Sequence, residues 1–321
     1  MFKFILKRLL QMIPLVLGIT LLSFAVMQLA PGDYLTNLQG NPQIRPESIE
    51  RLRHNFGLDQ PWYTQYGLWL WNALHGNFGP SFTYKIGVFE VIGQRLYYTF
   101  LLSFWASVFS WVVAIPLGVY AATHRNNWLD RLSNFVAFAG ISLPGFFMAL
   151  LALLLAKQTG WFPIGGASSV NYAQMSHLEK IRDTGWHLIL PVLVLGTRGV
   201  AGLMRQMRGN LLDVLSENYI MAARARGLKE SKVIRKHALR NAVNPLITLF
   251  GYELSGLLAG AALVESVMSW PGLGQLLLKS VQDQDLYVAM GSFVMGAVLL
   301  ILGNLIADVL LAVTDPRIKF S

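Results

Sequence analysis

The chain has 321 residues and a formal net charge of +9; 54% of its residues are hydrophobic and only 13% charged, against about 25% charged in soluble domains. The deficit falls in long stretches nearly free of Asp, Glu, Lys and Arg. That excludes an ordinary soluble domain and makes the basic surplus a question of membrane sidedness before one of nucleic acid. With no cysteine, disulfides, Cys-based metal sites and thiol nucleophiles are excluded too.

A helix that crosses a bilayer takes roughly 20 mostly apolar residues. Six stretches qualify: Leu9 to Ala30, Tyr98 to Ala122, Ser133 to Ala156, Trp186 to Met204, Pro245 to Val267 and Val288 to Val313. The fold class read from them is all-α, a polytopic membrane protein with six transmembrane helices. The first span follows Lys3, Lys7 and Arg8, as a signal peptide would. Its apolar part exceeds the roughly 7–15 residues of a signal peptide, and AVMQLAPGD is a poor cleavage site, so it reads as an uncleaved helix.

The segment 31–97 is too long for a simple loop. PESIERLRHNF starts with Pro46 at a helix start and spaces Ile49, Leu52 and Phe56 at helical intervals. WYTQYGLWLWNALHG carries Trp62, Tyr66, Trp69, Leu70 and Ala73 on roughly one face, and Trp and Tyr favour the membrane–water boundary. These are two short helices on the membrane surface, or a platform for a partner. With six spans, one side of the membrane collects 16 Lys and Arg and the other 9. The positive-inside rule then puts both termini in the cytoplasm and 31–97 outside. The chain divides into 1–30 (a short cytoplasmic segment and the first span), the extracytoplasmic insertion 31–97, and a core over 98–321.

The longest cytoplasmic segment is also the most basic. Residues 222–245, AARARGLKESKVIRKHALRNAVNP, hold seven Lys or Arg and one Glu. Alanine favours a helix over Glu217 to Arg226, and Gly227 suits the left-handed position that ends one. Leu228 offers an apolar contact beyond that cap. Ser231 is placed to cap a second helix running to about Val243, and Pro245 to begin a further one. Ala222, Ala223 and Ala225 are small enough for another surface to approach closely, and Tyr219 adds an aromatic anchor. Such an elbow rests on anionic lipid, binds nucleic acid, which six spans make hard to accommodate, or docks a cytoplasmic protein.

Catalytic chemistry is not in view. No GxxxxGK[ST] phosphate loop and no HExxH pair occur, and the six histidines are scattered. Ser103, Ser107 and Ser110 share a membrane helix, where Ser commonly bonds across helix contacts. Arg198, Glu253 and Asp308 are charges inside predicted spans. Such charges usually face a partner or a water-filled path, so Arg198 and Glu253 read as an internal ion pair or as lining of a route, and Asp308 as structural. Gly256 and Gly260 suit close helix packing. In SWPGLGQLL, Pro271, Gly272 and Gly274 break the helix beyond the fifth span, as an ordinary turn or as a re-entrant gate.

ENYIMAARARGL (217–228) followed by RKHALRNAVNP (235–245) resembles the EAA loop of binding-protein-dependent ABC importer permeases. MFKFILKRLLQMIPLVLGITLLSFAVMQLAPGD at the start, HGNFGPSFTYK (75–85), VESVMSWPGLGQL (264–276) and AVTDPRIKF (312–320) are similar to the B-type permease of the dipeptide, oligopeptide and nickel subfamily. The resemblance covers essentially the whole chain. It implies a permease subunit that is not itself an enzyme and moves di- or oligopeptides inward. The same machinery could carry nickel, glutathione or oligosaccharide, and a non-transporting membrane scaffold or sensor is the alternative of another class. It implies a second homologous permease subunit, two ATPase subunits that bind ATP and Mg, and an extracytoplasmic substrate-binding protein, with no cofactor in this chain. It implies a coupling loop at about 212–244, where Glu217, Tyr219, Ala222, Ala223, Ala225, Gly227 and Leu228 would meet the ATPase. Arg198, and Gln284 in VQDQDLY, depart from the family's pattern.

Overall fold

Backbone amides and carbonyls have no water to bond to in a bilayer, so a chain this apolar satisfies them within helices. The computed structural model describes residues 2–29, 32, 34–39, 45–125, 127, 128, 130, 131, 135, 138, 140, 142–246 and 261–314, with the backbone alone at 2–9, 37–39 and 307–314. Among the described residues the regular structure is helical apart from one isolated bridge between Pro80 and Gly87.

The helices are α1 (Phe2–Leu29), α2 (Tyr34–Gln39), α3 (Pro46–Asn55), α4 (Trp62–Leu74), α5 (Val88–Thr123), α6 (Gly145–Thr159), α7 (His177–Leu215), α8 (Asn218–Ala225), α9 (Glu230–Lys232), α10 (Ala262–Val267), α11 (Leu273–Gln282) and α12 (Leu286–Thr314). By length and apolar composition four of them, α1, α5, α7 and α12, are able to cross a membrane.

The third predicted span is not one helix. The chain bends at Leu143 and Pro144, and α6 begins only at Gly145. Proline lacks the amide and pushes its predecessor out of the helical region. At 15 residues, α6 is about 22 Å long, short of a hydrocarbon core of about 30 Å. It ends at Gly160, in the left-handed conformation with φ +67°. The fourth predicted span is the middle of a much longer helix, α7, whose 39 residues pass through Pro191. Its start is fixed by a reciprocal cap: the Ser176 hydroxyl and the Glu179 side chain each take up an end of the first turn. Most of the fifth predicted span, with Glu253, Gly256 and Gly260, lies outside the described residues; α10 is its described end.

Two compact units make up the chain, one from Phe100–Trp270 and Leu300–Ser321, the other from Phe2–Thr99 and Pro271–Leu299. In the second unit the aromatic face of α4 lies against α1. The Tyr66 hydroxyl sits 2.9 Å from Thr20 Oγ1, its ring meets Phe24 edge-on at 5.6 Å, and Trp69 is buried with Phe24 and Met290. Trp62 is off this face and 53% exposed.

Asp285, buried just before α12, gathers the same unit. Its Oδ2 accepts from the Ser81 hydroxyl at 2.7 Å and the Thr83 amide at 2.9 Å, and Ser81 Oγ accepts from the Tyr84 amide at 2.9 Å. The stretches HGNFGPSFTYK and VQDQDLY are thereby one structural feature. Gln284, just before Asp285, holds a left-handed φ of +56°.

In the first unit, α5 and α7 touch backbone to side chain. A Cβ on Gly118 would fall 2.7 Å from Met207 Cβ and 2.9 Å from the Met204 carbonyl oxygen, and one on Gly196 would fall 2.5 Å from Phe109 Cδ1. The Ser110 hydroxyl donates to the Gly196 carbonyl at 2.9 Å. Close packing by small residues is thus seen at Gly118 and Gly196; the packing expected of Gly256 and Gly260 falls outside the described residues. Beyond the end of α5, buried Asp130 takes both prongs of Arg208 on α7, at 3.1 and 3.2 Å.

Removing the Asp285 carboxylate leaves the buried Ser81 hydroxyl and the half-buried Thr83 amide without this acceptor, at about 1–3 kcal/mol for the buried orphan and less for the other. Asp285→Ala is expected to lower the melting temperature of the detergent-purified protein, and Asp285→Asn, which keeps an acceptor, to lower it less. Wild-type melting of Asp285→Ala would contradict this role. Gly196→Val is expected to abolish accumulation of folded protein in the membrane, whereas Gly202→Val on the same helix, where an added Cβ meets nothing within 4 Å, is tolerated.

Candidate functional site

The basic elbow that follows α7 is described through residue 246. Helix α8 starts at Asn218, with Glu217 extended as its N-cap (φ −71°, ψ 145°). Ile220 and Ala223, three apart and so on one side of the helix, point into a core cluster of this unit, beside Met207, Leu211, Val233 and Ala238. Leu228 packs on the same cluster. Residues 219, 221, 222, 224 and 225 are exposed, with Tyr219 at 42% and Met221 at 52%. Of the residues that the resemblance assigns to the ATPase contact, Glu217, Tyr219, Ala222, Ala225 and Gly227 are exposed, whereas Ala223 faces the core and Leu228 is half-buried. An 8-residue helix seated on a bundle must spend one face on its seat, and Ile220 and Ala223 are that face.

The turn that follows is left-handed at Gly227, φ +73°, and an added Cβ there would meet nothing within 4 Å. Glycine is required for the backbone's handedness and not for space. A clasp closes the turn from outside: Arg224 Nη2 and Nε donate to Glu230 at 2.6 and 3.1 Å. These charge-assisted bonds hold the Glu230 carboxyl below its ordinary value, and the opposite charge adds to the effect. The pair is exposed, so it is worth at most about 1 kcal/mol.

Chain geometry after the turn departs from the expectation at two points. Lys229, not Ser231, is the N-cap, and it makes no side-chain cap bond; Ser231 sits inside the first turn. Pro245 does not begin a new helix, because the helical run continues through residue 246. Between them, Val233–Ala238 is wound as a π-helix, a local widening often found at functional sites. Val233 and Ala238 are buried against the same cluster as Ile220. Two cross-links hold this arm in place: Asn241 Nδ2 donates to the Tyr219 hydroxyl at 2.7 Å, and Asn210 Nδ2 on α7 donates to the Ala242 carbonyl at 3.1 Å.

The resulting surface has an apolar centre of Met221, Ala222 and Ala225. Arg224, Arg226, Lys229, Lys232, Arg235, Lys236 and Arg240 are exposed around and beyond it. A low apolar patch with a charged rim is the anatomy of a protein-docking surface. Beside it opens a cavity of about 500 Å³, lined by Thr123, His124, Arg125, Leu215, Arg224 and Glu230 among others.

The other predicted sites fare unevenly. Arg198 is exposed on α7, and Glu253 lies outside the described residues, as does the side chain of Asp308. The break near residue 270 is present but shifted. Gly272 is the extended N-cap of α11 (φ −90°, ψ 177°), Pro271 precedes it, and Gly274 lies within α11. The left-handed residue of the break is Ser269, φ +53°. Its fixings are backbone bonds: the Trp270 amide donates to the Glu265 carbonyl and the Gly166 amide to the Met268 carbonyl, both at 2.8 Å. The Leu273 amide, at the start of α11, donates to Thr99 Oγ1 at 2.7 Å. Met221, Asn241 and Asp285 were not anticipated as site or latch residues. Met221 was within reach, since it shares a helix face with Ala222 and Ala225; the partners of Asn241 and Asp285 are set by tertiary contact.

Residues 114–320 match the family model of the binding-protein-dependent transport system inner membrane component, and residues 1–103 match the model of its N-terminal region. The oligopeptide transport system permease protein AppB of Bacillus subtilis is 42% identical over all of both chains. The dipeptide transport system permease protein DppB of Escherichia coli K12 is 37% identical over 99% of each. A solved inward-facing structure of the MetNI methionine ABC transporter superposes with a TM-score of 0.55 at 17% identity, covering 71% of this chain and 97% of that one; at that identity the likeness speaks for the fold alone. On the family match, which takes in the whole elbow and reaches nearly to the end of the sequence, this chain belongs to the binding-protein-dependent transport system inner membrane components.

Proposed function

We propose that this chain is one of two permease subunits of an ABC importer for di- or oligopeptides, and that its elbow is where an ATPase subunit grips it. The observation that carries the proposal is the division of α8 into two faces. Ile220 and Ala223 seat it on the membrane bundle, while Met221, Ala222 and Ala225 stand clear amid exposed cations. A push on the outer face passes to α5 and α7 through close-packed side chains, which deform little. ATP and Mg are bound by the two ATPase subunits, and this chain supplies positioning and the path. Alternating access follows when the ATPases favour one arrangement of the elbow over another.

The topology belonging to this function has six spans and both termini in the cytoplasm. Its insertion, 31–97, faces outward, and a substrate-binding protein docks over α3 and α4. The four long helices, the family membership and the basic surplus on the elbow side support it. Arg198 and Glu253 remain a path or ion-pair assignment, and the Pro271–Gly272 break before α11 a gate. The peptide cargo rests on relatives named as oligopeptide and dipeptide permeases; nickel, glutathione and oligosaccharide are the competing cargoes. Reconstituted complexes with the matching binding protein are expected to accumulate labelled peptide when ATP is supplied. Uptake of one of the other cargoes and not of peptide would overturn the assignment.

Two substitutions separate the faces of α8. Ala222→Glu is expected to leave the folded complex and its basal ATP hydrolysis in place and reduce peptide uptake at least tenfold. Ala223→Glu buries an unpaired carboxylate, a cost of several kcal/mol, and is expected to lose folded protein outright. The same phenotype from both would remove the two-faced assignment. Because the chain has no cysteine, Ser168→Cys, at an exposed position, and Lys229→Cys report sidedness. An impermeant thiol reagent applied to intact cells should label the first and not the second; the reverse pattern would invert the topology.

A further inference from the structure

Early α7 carries a constructed cleft that the elbow mechanism does not use. Glu179, Arg182, Asp183 and Trp186 fall at helical spacing on one side of α7. The preceding loop is folded over that side and pinned at two places. The Ser169 amide and hydroxyl donate to the two oxygens of Asp183 at 2.8 and 2.5 Å, and the Ser176 amide and hydroxyl both donate to Glu179 Oε2 at 2.8 Å. Asn171, Gln174 and Met175 form the facing wall, and about 560 Å³ lies between, within the usual range for small-molecule sites.

The pins decide which groups remain available. Both oxygens of Asp183 are engaged by Ser169, with His187 Nδ1 a further 3.7 Å from Oδ1. Glu179 keeps Oε1. Arg182 is exposed and makes no ion pair with the described residues. It lines the cleft, and its planar fork of donors suits a carboxylate. The Asn171 and Gln174 amides supply donors and acceptors of peptide-bond type. Trp186 is 47% exposed and is stacked on Phe162 at 5.2 Å, so its orientation is fixed and it serves as a platform for an apolar side chain. Among the lining residues one cation stands beside two carboxylates, with Lys180 held over the Tyr172 ring, a balance that disfavours a phosphate dianion or a polyanion. A zwitterion, with its carboxylate on Arg182 and its ammonium toward Glu179 Oε1, satisfies both signs.

We infer that this cleft is a receiving site for the free C-terminal carboxylate end of a short peptide. The inference rests on the peptide-import reading, which places residues 157–185 on the outer side where released cargo arrives.

The natural absence of cysteine on this chain supplies the test. In the complete complex held in lipid nanodiscs, Met175→Cys places the only thiol of this chain in the cleft, and its alkylation by a maleimide is followed on the isolated subunit. Alanyl-phenylalanine at twice its Kd is expected to slow alkylation about threefold, as mass action requires. Its C-terminal amide is expected to give no protection, and Arg182→Ala to remove the protection by the free acid. Equal protection by acid and amide, protection that survives Arg182→Ala, or none at any peptide concentration up to saturation would each overturn the site. The assay needs neither ATP nor uptake. If wild-type complexes import peptide and protection is absent, the cleft assignment alone fails; if they import none, the import reading fails.

Discussion

The seating of α8 by Ile220 and Ala223 is the contact on which the rest of this structure turns. An isolated 8-residue helix is not stable in water. It exists here because two apolar side chains enter a cluster formed by α7, the end of α5 and the π-turn beyond Gly227. That cluster makes the elbow part of the membrane bundle and not a tethered loop. Without it, a force applied to Ala222 or Ala225 would be spent on bending the connection.

The connections around the seat grade from rigid to replaceable. The glycine contacts between α5 and α7 and the Asp130–Arg208 pair fix the platform. The Gly227 turn fixes the direction of return through its backbone handedness. The Arg224–Glu230 clasp and the Asn241–Tyr219 bond are exposed and contribute little stability; they select the arrangement of the arms. The second unit has its own organiser in Asp285, which converts two distant stretches into one fold through hydroxyl and amide donors.

Much of this was legible in the sequence. The Ala-rich run and Gly227 announced helix, stop and reversal, and the structure has them within a residue. Pro46 opened α3, and the aromatic spacing of α4 identified its packed face except for Trp62. The failures have physical causes. Ser231 looked like a cap by residue type, yet the helix begins a residue earlier at Glu230. Gly274 looked like part of a turn, yet α11 starts before it and the left-handed residue is Ser269. Pro144 broke a span whose composition alone read as continuous. Ala223 and Ala222 are indistinguishable by composition; only the register of α8 on its seat separates an inward residue from an outward one. The pinning of the cleft beside Arg182 likewise depends on which carboxylate oxygens Ser169 and Ser176 reach.

Function follows from what the elbow presents as much as from what holds it. A docking surface for a soluble motor needs a shallow apolar centre, a charged rim and a stiff backing. Residues 217–240 combine these features, and the proposed ATPase contact rests on them. The most direct measurement of this account is a cysteine scan of 217–229 in the assembled complex, cross-linked with a short bifunctional reagent. Met221→Cys, Ala222→Cys and Ala225→Cys are predicted to join this chain to an ATPase subunit, with Ile220→Cys silent. Cross-links to no ATPase subunit, or to one with equal yield from every position, would contradict it.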